Sequence, residues 1–184
     1  MTNFITISNL NESKGILYLL DACRALMQKG EINFHLHIIG AATAEISTKR
    51  MELEIRAREL TAYVTYHGKQ YGKQKEIFLS ESDVFVHPTL DDCFPLVLLE
   101  AMQHALPIIT TPVGAIPDIV EDGLNGILVP ENDIDALAHA LKRLVASPRL
   151  AKQMGERGRN KYIEQYTAMR CEQKVLTCIM SLIK

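Results

Sequence analysis

Asp92 and Glu100 stand on either side of seven residues, Cys93-Phe94-Pro95-Leu96-Val97-Leu98-Leu99, and this spacing raises the chain's first chemical question. Pro95 falls near the first helical position, where its missing N–H would have been unpaired anyway. The preceding Asp83-Val84-Phe85-Val86-His87-Pro88 reads as a buried strand. A strand therefore ends, a polar loop turns, and a helix starts with free N–H groups facing the loop. Such an end attracts anions such as phosphate. Carboxylates repel phosphate, so Asp92 and Glu100 are better used accepting hydrogen bonds from sugar hydroxyls. Phosphate donors beside hydroxyl acceptors make a site for a nucleotide sugar. A second cluster, Ser8-Asn9-Leu10-Asn11-Glu12-Ser13-Lys14-Gly15, follows the first strand and opens the first helix. There Lys14 can supply a full positive charge, whereas Asn9 can only donate a hydrogen bond.

The elements that must position these residues alternate along the chain. Strands are predicted over Phe4–Ser8, Phe34–Ile39, Val64–Tyr66, Val84–His87, Pro107–Thr111 and Gly126–Val129. Helices are predicted from Gly15 to Lys29, where Gly30 ends the first, over Glu45–Leu60, over Lys75–Leu79, from Pro95, and over Asp133–Ala146. This alternation predicts an α/β fold, a single Rossmann-like domain with a parallel sheet covered by helices on both faces, followed by C-terminal helices. After Pro148 the chain is helical and charged. It ends in an apolar tail from Val175 to Ile183, which either folds onto its own domain or exposes that face.

Composition narrows the functional classes. A chain of 184 residues with 47% hydrophobic content fits one ordinary domain with a full core. A net charge of −2 argues against a nucleic-acid partner, which normally meets a basic surface. The cysteines Cys23, Cys93, Cys171 and Cys178 form no C-x-x-C pair; Cys23 lies on an apolar helical stripe and reads as core filler. Reduced cytoplasmic thiols are the default. No apolar run approaches a membrane span, and no signal peptide opens the chain. No Cys/His group has metal-ligand spacing, Asp91-Asp92 is only weakly like a D-x-D metal site, and no Walker loop, nucleophile elbow or full dinucleotide fingerprint appears.

The motif region resembles the E-x7-E segment of the family-four glycosyltransferases, retaining enzymes of the GT-B fold. Their usual string reads Glu-Gly-Phe-Gly-Leu, three further residues, then Glu-Ala-Met. Phe94, Leu96, Glu100, Ala101 and Met102 match in register, while Asp92, Cys93 and Pro95 depart. The resemblance continues through Ala105–Ile109, Val113–Val120 and Asp122–Pro130, and places the chain in the C-terminal half of such an enzyme. The acceptor-binding N-terminal domain is then expected to be absent.

The resemblance implies a role for each site residue. Glu100 receives the ribose hydroxyls, and Asp92 receives hydroxyls of the donor sugar or else caps the helix. Lys14 and Gly15 match a Lys-Gly pair that holds the diphosphate, with Asn9 where an Arg is usual. Lys14, Asp92 and Glu100 are the expected catalytic residues. The backbone N–H groups of Phe94, Leu96 and Val97, in the loop that carries Cys93, cradle the diphosphate. His67 and Gly68 lie where similar enzymes grip the base. His87 reads as structural. No metal and no cofactor beyond the nucleotide-diphosphate sugar donor is implied.

The implied partners are that donor, the N-terminal domain and an acceptor that is a glycan or lipid-linked. A cytoplasmic location is expected, with peripheral association of the full-length enzyme at the inner face of the membrane. Rival readings are a nucleotide-sugar epimerase or phosphorylase relative and a non-catalytic sugar-nucleotide-binding domain, for which the departures at Asn9 and Asp92 speak.

Overall fold

The computed structural model describes residues 1–182. Six parallel strands form one sheet: β1 (Thr2–Ile7), β2 (Phe34–Ile39), β3 (Val64–Tyr66), β4 (Val84–His87), β5 (Ile108–Thr110) and β6 (Gly126–Leu128), in the spatial order β3-β2-β1-β4-β5-β6. The helices are α1 (Ile16–Gln28), α2 (Thr48–Ala57), α3 (Gly72–Ser80), α4 (Leu96–Gln103), α5 (Ile116–Ile119), α6 (Ile134–Ala146), α7 (Pro148–Gln165) and α8 (Ala168–Leu182). Successive side chains on a strand point to opposite faces, and each face carries its own core. Phe4, Leu36 and Val84 pack with residues of α1, α2 and α6, whereas Ile5, Phe85 and Ile108 pack with residues of α3, α4 and α5. Cys23 is fully buried in the first core, and burial pushes its thiol up to about 12.

The strands β2, β3 and β4 have the bounds that their apolar patterns predict. The first strand starts earlier, because Thr2 and Asn3 pair with Phe34 and His35 through backbone groups that hydropathy does not register. The second helix is shorter than Glu45–Leu60. Ser47 caps it by accepting a hydrogen bond from the Arg50 N–H, and Glu59 turns left-handed after its end. The third helix starts at Gly72, three polar residues before the expected Lys75. A short 3-10 turn over Glu12–Lys14 and the four-residue α5 are additional.

Strand β1 pairs with β2 on one side and β4 on the other, so the connections from β1 and β4 leave toward opposite edges. A crevice opens between the carboxyl ends of two such strands. The helix α8 resolves the two readings of the tail: Val175, Leu176, Ile179 and Met180 are exposed, while Ile183 lies outside the described residues.

Candidate functional site

Three loops converge at this crevice, and two glycines let them touch. Gly15 ends the β1–α1 loop with φ 71°, and a Cβ there would lie 1.8 Å from the Pro88 carbonyl oxygen. Gly114 follows β5 with φ 53°, and its Cβ would lie 2.0 Å from the Asp92 carbonyl oxygen. Only glycine meets both demands, a left-handed backbone and contact with another main chain. The loop from Thr89 to Cys93 is thereby clamped. The Leu90 N–H donates to the Ser13 carbonyl at 2.7 Å, and the Ala115 N–H to the Cys93 carbonyl at 2.9 Å.

The clamp brings Lys14 and Asp92 together across 78 residues of sequence. The Lys14 ammonium donates to Asp92 Oδ2 at 2.9 Å and to the Asp91 carbonyl at 2.7 Å. Asp92 therefore does not cap α4. Pro95 itself precedes the first helical residue, and no side chain caps this helix. Below Asp92 lies His87, buried at the end of β4, with Nε2 3.4 Å from Oδ2. Burial lowers the His87 pKa more than Asp92 raises it, so the ring is neutral at neutral pH. Donation from Nε2 leaves the buried Nδ1 without a partner.

The start of α4 is open. The N–H groups of Phe94, Leu96 and Val97 donate to no protein acceptor among the described residues. Leu96 is 65% exposed, and the Phe94 ring leans on Tyr166 with centroids 6.4 Å apart. Cys93 is exposed in the same loop. One turn on, Glu100 Oε1 receives a 2.7 Å bond from Lys75 of α3, and Glu100 Oε2 is buried without a partner.

A cleft of about 260 Å³ lies beside these groups, lined by Asn9, Gly40, Lys69, Tyr71, Lys75 and Val97 among others. Asn9 sits on its wall, and Lys69 stands over the Tyr71 ring at 4.6 Å. His67 does not turn toward the cleft. Its Nε2 is 2.9 Å from His37 Nδ1, and its ring packs on Phe78 with centroids 4.5 Å apart. The His67 ring is thus held by a bond inside the domain. Gly68 forms a tight turn, at φ 69°, and its carbonyl accepts the Gly40 N–H at 2.9 Å. Sequence reading missed Lys75, which no local motif marks; only the packing of α3 beside α4 brings it to Glu100. Among the described residues, no three His, Cys, Asp or Glu side chains gather in a way that could hold a metal ion.

Residues 2–161 match the family described as glycosyl transferases group 1. The chain belongs to that family. It is 32% identical over 146 residues to the amylovoran biosynthesis glycosyltransferase AmsK of Erwinia amylovora, covering 76% of this chain and 35% of that protein. Among solved structures it is similar to HepE of Anabaena in complex with UDP, with a TM-score of 0.88 and 18% identity over 97% of this chain and 48% of that chain. It is also similar to the C-terminal domain of a glycosyl transferase group 1 family protein, LpcC, of Francisella tularensis. There the TM-score is 0.81 and the identity 22%, over 91% of this chain and 87% of that chain. The fold is the Rossmann-like C-terminal half of a GT-B enzyme. The chain spans about a third of the length of the curated relatives that match it first. Among the described residues no helix is long and apolar enough to cross a membrane.

Proposed function

We propose that this domain holds the nucleotide-diphosphate sugar donor of a retaining glycosyltransferase. With an N-terminal domain of the same enzyme, it transfers the sugar to a hydroxyl of a glycan or lipid-linked acceptor. The observation that carries this reading is the meeting of Lys14, Asp92 and the free N–H groups of Phe94, Leu96 and Val97 at the strand-order switch. One positive charge, one carboxylate and a helix start suit a diphosphate bonded to a sugar. The UDP complex of the similar HepE supports a nucleotide ligand, and the amylovoran role in AmsK's name supports a polysaccharide product.

The chemistry asked of the domain is electrostatic. The bond between the sugar's anomeric carbon and the phosphate oxygen breaks, and its electron pair leaves with the diphosphate. Lys14 and the α4 N–H groups stabilise that charge. The acceptor hydroxyl bonds to the same carbon from the same face, and its proton passes to the departing phosphate oxygen. In the free domain Lys14 is paired with Asp92, both about four-fifths covered, with side-chain exposures of 23% and 20%. A largely covered ion pair gives back much of its attraction in desolvation, and a diphosphate offers Lys14 a more highly charged partner, so it can draw Lys14 away. The exchange frees Asp92 for the sugar hydroxyls. Asn9 adds no charge, but Lys69 lines the same cleft and supplies a cation that its position lacks. Glu100 receives the ribose. No metal or further cofactor enters this reading, and a cytoplasmic location, at the inner membrane face for the full-length enzyme, goes with it.

Calorimetry with paired nucleoside mono- and diphosphates tests the site: the diphosphate is expected to bind more tightly in every pair, and equal affinities would remove the diphosphate contacts. Glu100→Gln should weaken nucleotide binding by about tenfold or more, since hydrogen bonds to a charged group are worth roughly 1.5–3 kcal/mol. Unchanged binding with a lowered melting temperature would make Glu100 structural. In the full-length enzyme, an assay against a donor panel with the product's anomeric form read by NMR tests transfer and retention.

A further inference from the structure

Glu100 is held in a manner that a lone ribose acceptor would not need. Its Oε1 is bonded by Lys75 at 2.7 Å, while its Oε2 is buried and unpartnered. A buried carboxylate oxygen without a donor is costly to leave unmet. The pair spans two elements, Lys75 from α3 and Glu100 from α4, and its side chains are only 20% and 33% exposed. Lys75 also lines the cleft beside Asn9, Tyr71 and Val97.

These facts assign distinct tasks to the two oxygens. The ammonium favours the ionised carboxylate and fixes one end of it. The terminal torsion of a glutamate is soft and the lysine stem is flexible, so a ligand in the cleft can turn the carboxylate to reach Oε2 while the Lys75 ammonium follows Oε1. A vicinal diol brings two donors, one for Oε2 and one to share Oε1. A nucleotide that lacks one hydroxyl leaves an acceptor of this set unmet. Without Lys75, the carboxylate would rotate freely and meet one hydroxyl or two with less distinction.

We infer that Lys75 is a positioning residue that turns Glu100 into a reader of the ribose diol, so that the site prefers ribonucleoside diphosphates to their 2′-deoxy counterparts. The inference rests on the ribose role of Glu100 proposed above.

The test is the ratio of affinities for a ribonucleoside diphosphate and its 2′-deoxy form, measured by calorimetry on the 184-residue chain. A ratio cancels the general loss of anion attraction that removing any lysine brings. The unaltered chain should favour the ribose form by about tenfold, the scale of one charge-assisted hydrogen bond. Lys75→Met should reduce that preference to about twofold or less, and Lys75→Arg should restore most of it. In a Glu100→Gln background, Lys75→Met should change the ratio no further. If the unaltered chain binds both forms equally, the ribose role of Glu100 fails. If it discriminates and Lys75→Met discriminates equally well, that role stands and the inference about Lys75 is overturned. A loss of both nucleotides beyond about a hundredfold in Lys75→Met would also overturn it, in favour of direct contact between Lys75 and the phosphates.

Discussion

The β4–α4 loop and the β3–α3 loop border the same crevice but are held in different ways. On the β4 side, main chain locks against main chain: Gly15 on Pro88, Gly114 on Asp92, Ser13 to Leu90 and Cys93 to Ala115. On the β3 side, two backbone bonds, Gly40 to Gly68 and His67 to Ile38, are joined by side-chain bonds from Tyr66 to Gly40 and Gln70 to His67 and by packing among His35, His37, His67 and Phe78. A backbone lock admits almost no substitution and does not titrate. A histidine cluster tolerates exchange and responds to protons. The half of the crevice read as the diphosphate seat is therefore fixed mainly by close backbone contacts, and the half read as the base seat more by adjustable side-chain contacts.

The sharpest way to break this comparison is to place the same methyl group on each side. Gly15 and Gly68 share a left-handed backbone, φ 71° and 69°, but a Cβ on Gly68 meets nothing within 4 Å. Gly68→Ala should cost about 1–2 kcal/mol from the left-handed backbone alone. Gly15→Ala adds a backbone collision and should cost several kcal/mol, on the order of the largest point-mutant effects. Urea denaturation of both variants measures the gap, and equal losses would show that the clamp is not tight.

Binding sharpens the same contrast. Lys14→Ala should weaken a nucleoside diphosphate by about tenfold, the scale of one charge-assisted bond, and the monophosphate by much less. Asn9→Arg should strengthen the diphosphate by a few-fold, within the roughly 0–1 kcal/mol of an exposed pair. Titration calorimetry reads both, and no change in either variant would move the diphosphate away from the β1–α1 loop.

The smallest expected effect is the proton response of the β3 side. Burial first, then the neighbouring His35 and His67, lower His37 from 6.5 to about 4. Between those values the unfolded chain binds the proton that the folded chain refuses, so stability falls as pH drops through this window and levels below about 4. His37→Gln should remove part of that fall, on the order of 1 kcal/mol after discounting for partial exposure, or a few degrees in Tm. Melting curves at pH values inside and above the window give the slope. The slope should not vanish, because His35, His67 and the buried His87 are lowered too. An unaltered slope in His37→Gln would mean that the β3 side carries none of it.

The fold was legible because buried parallel strands are written as short apolar runs. The patterns of Phe34–Ile39 and Val84–His87 leave little choice of bounds. The polar ends of elements were not legible, since Thr2, Asn3 and Gly72 take their places through backbone pairing and turn geometry. The candidate site divides likewise. Lys14, Asp92, Phe94, Leu96 and Glu100 stand out because a loop-to-helix motif is local in sequence. That Lys14 grips Asp92, that Lys75 grips Glu100 and that His67 turns to His37 depend on which strands and helices become neighbours. His35 and His37 share a face at alternate positions, but only the register of β2 with β3 sets Thr65 and His67 beside them.

The strand order also has a kinetic side. The Lys14–Asp92 contact joins residues 78 apart and the Asn3–Asp83 contact residues 80 apart, so the central β1–β4 pairing closes nearly half the chain into a loop. Loop-closure entropy must be met before such contacts give anything back, which makes distant pairings in parallel sheets slow to form. The switch between β1 and β4 is thus expected to form late in folding, and the crevice above it with it. A nucleoside diphosphate bound there is then expected to bridge segments that the transition state has not yet joined, which refolding and unfolding rates with and without it check. Its stabilisation then falls on the unfolding rate and leaves the folding rate nearly unchanged, so ligand supply acts on how long the native domain survives.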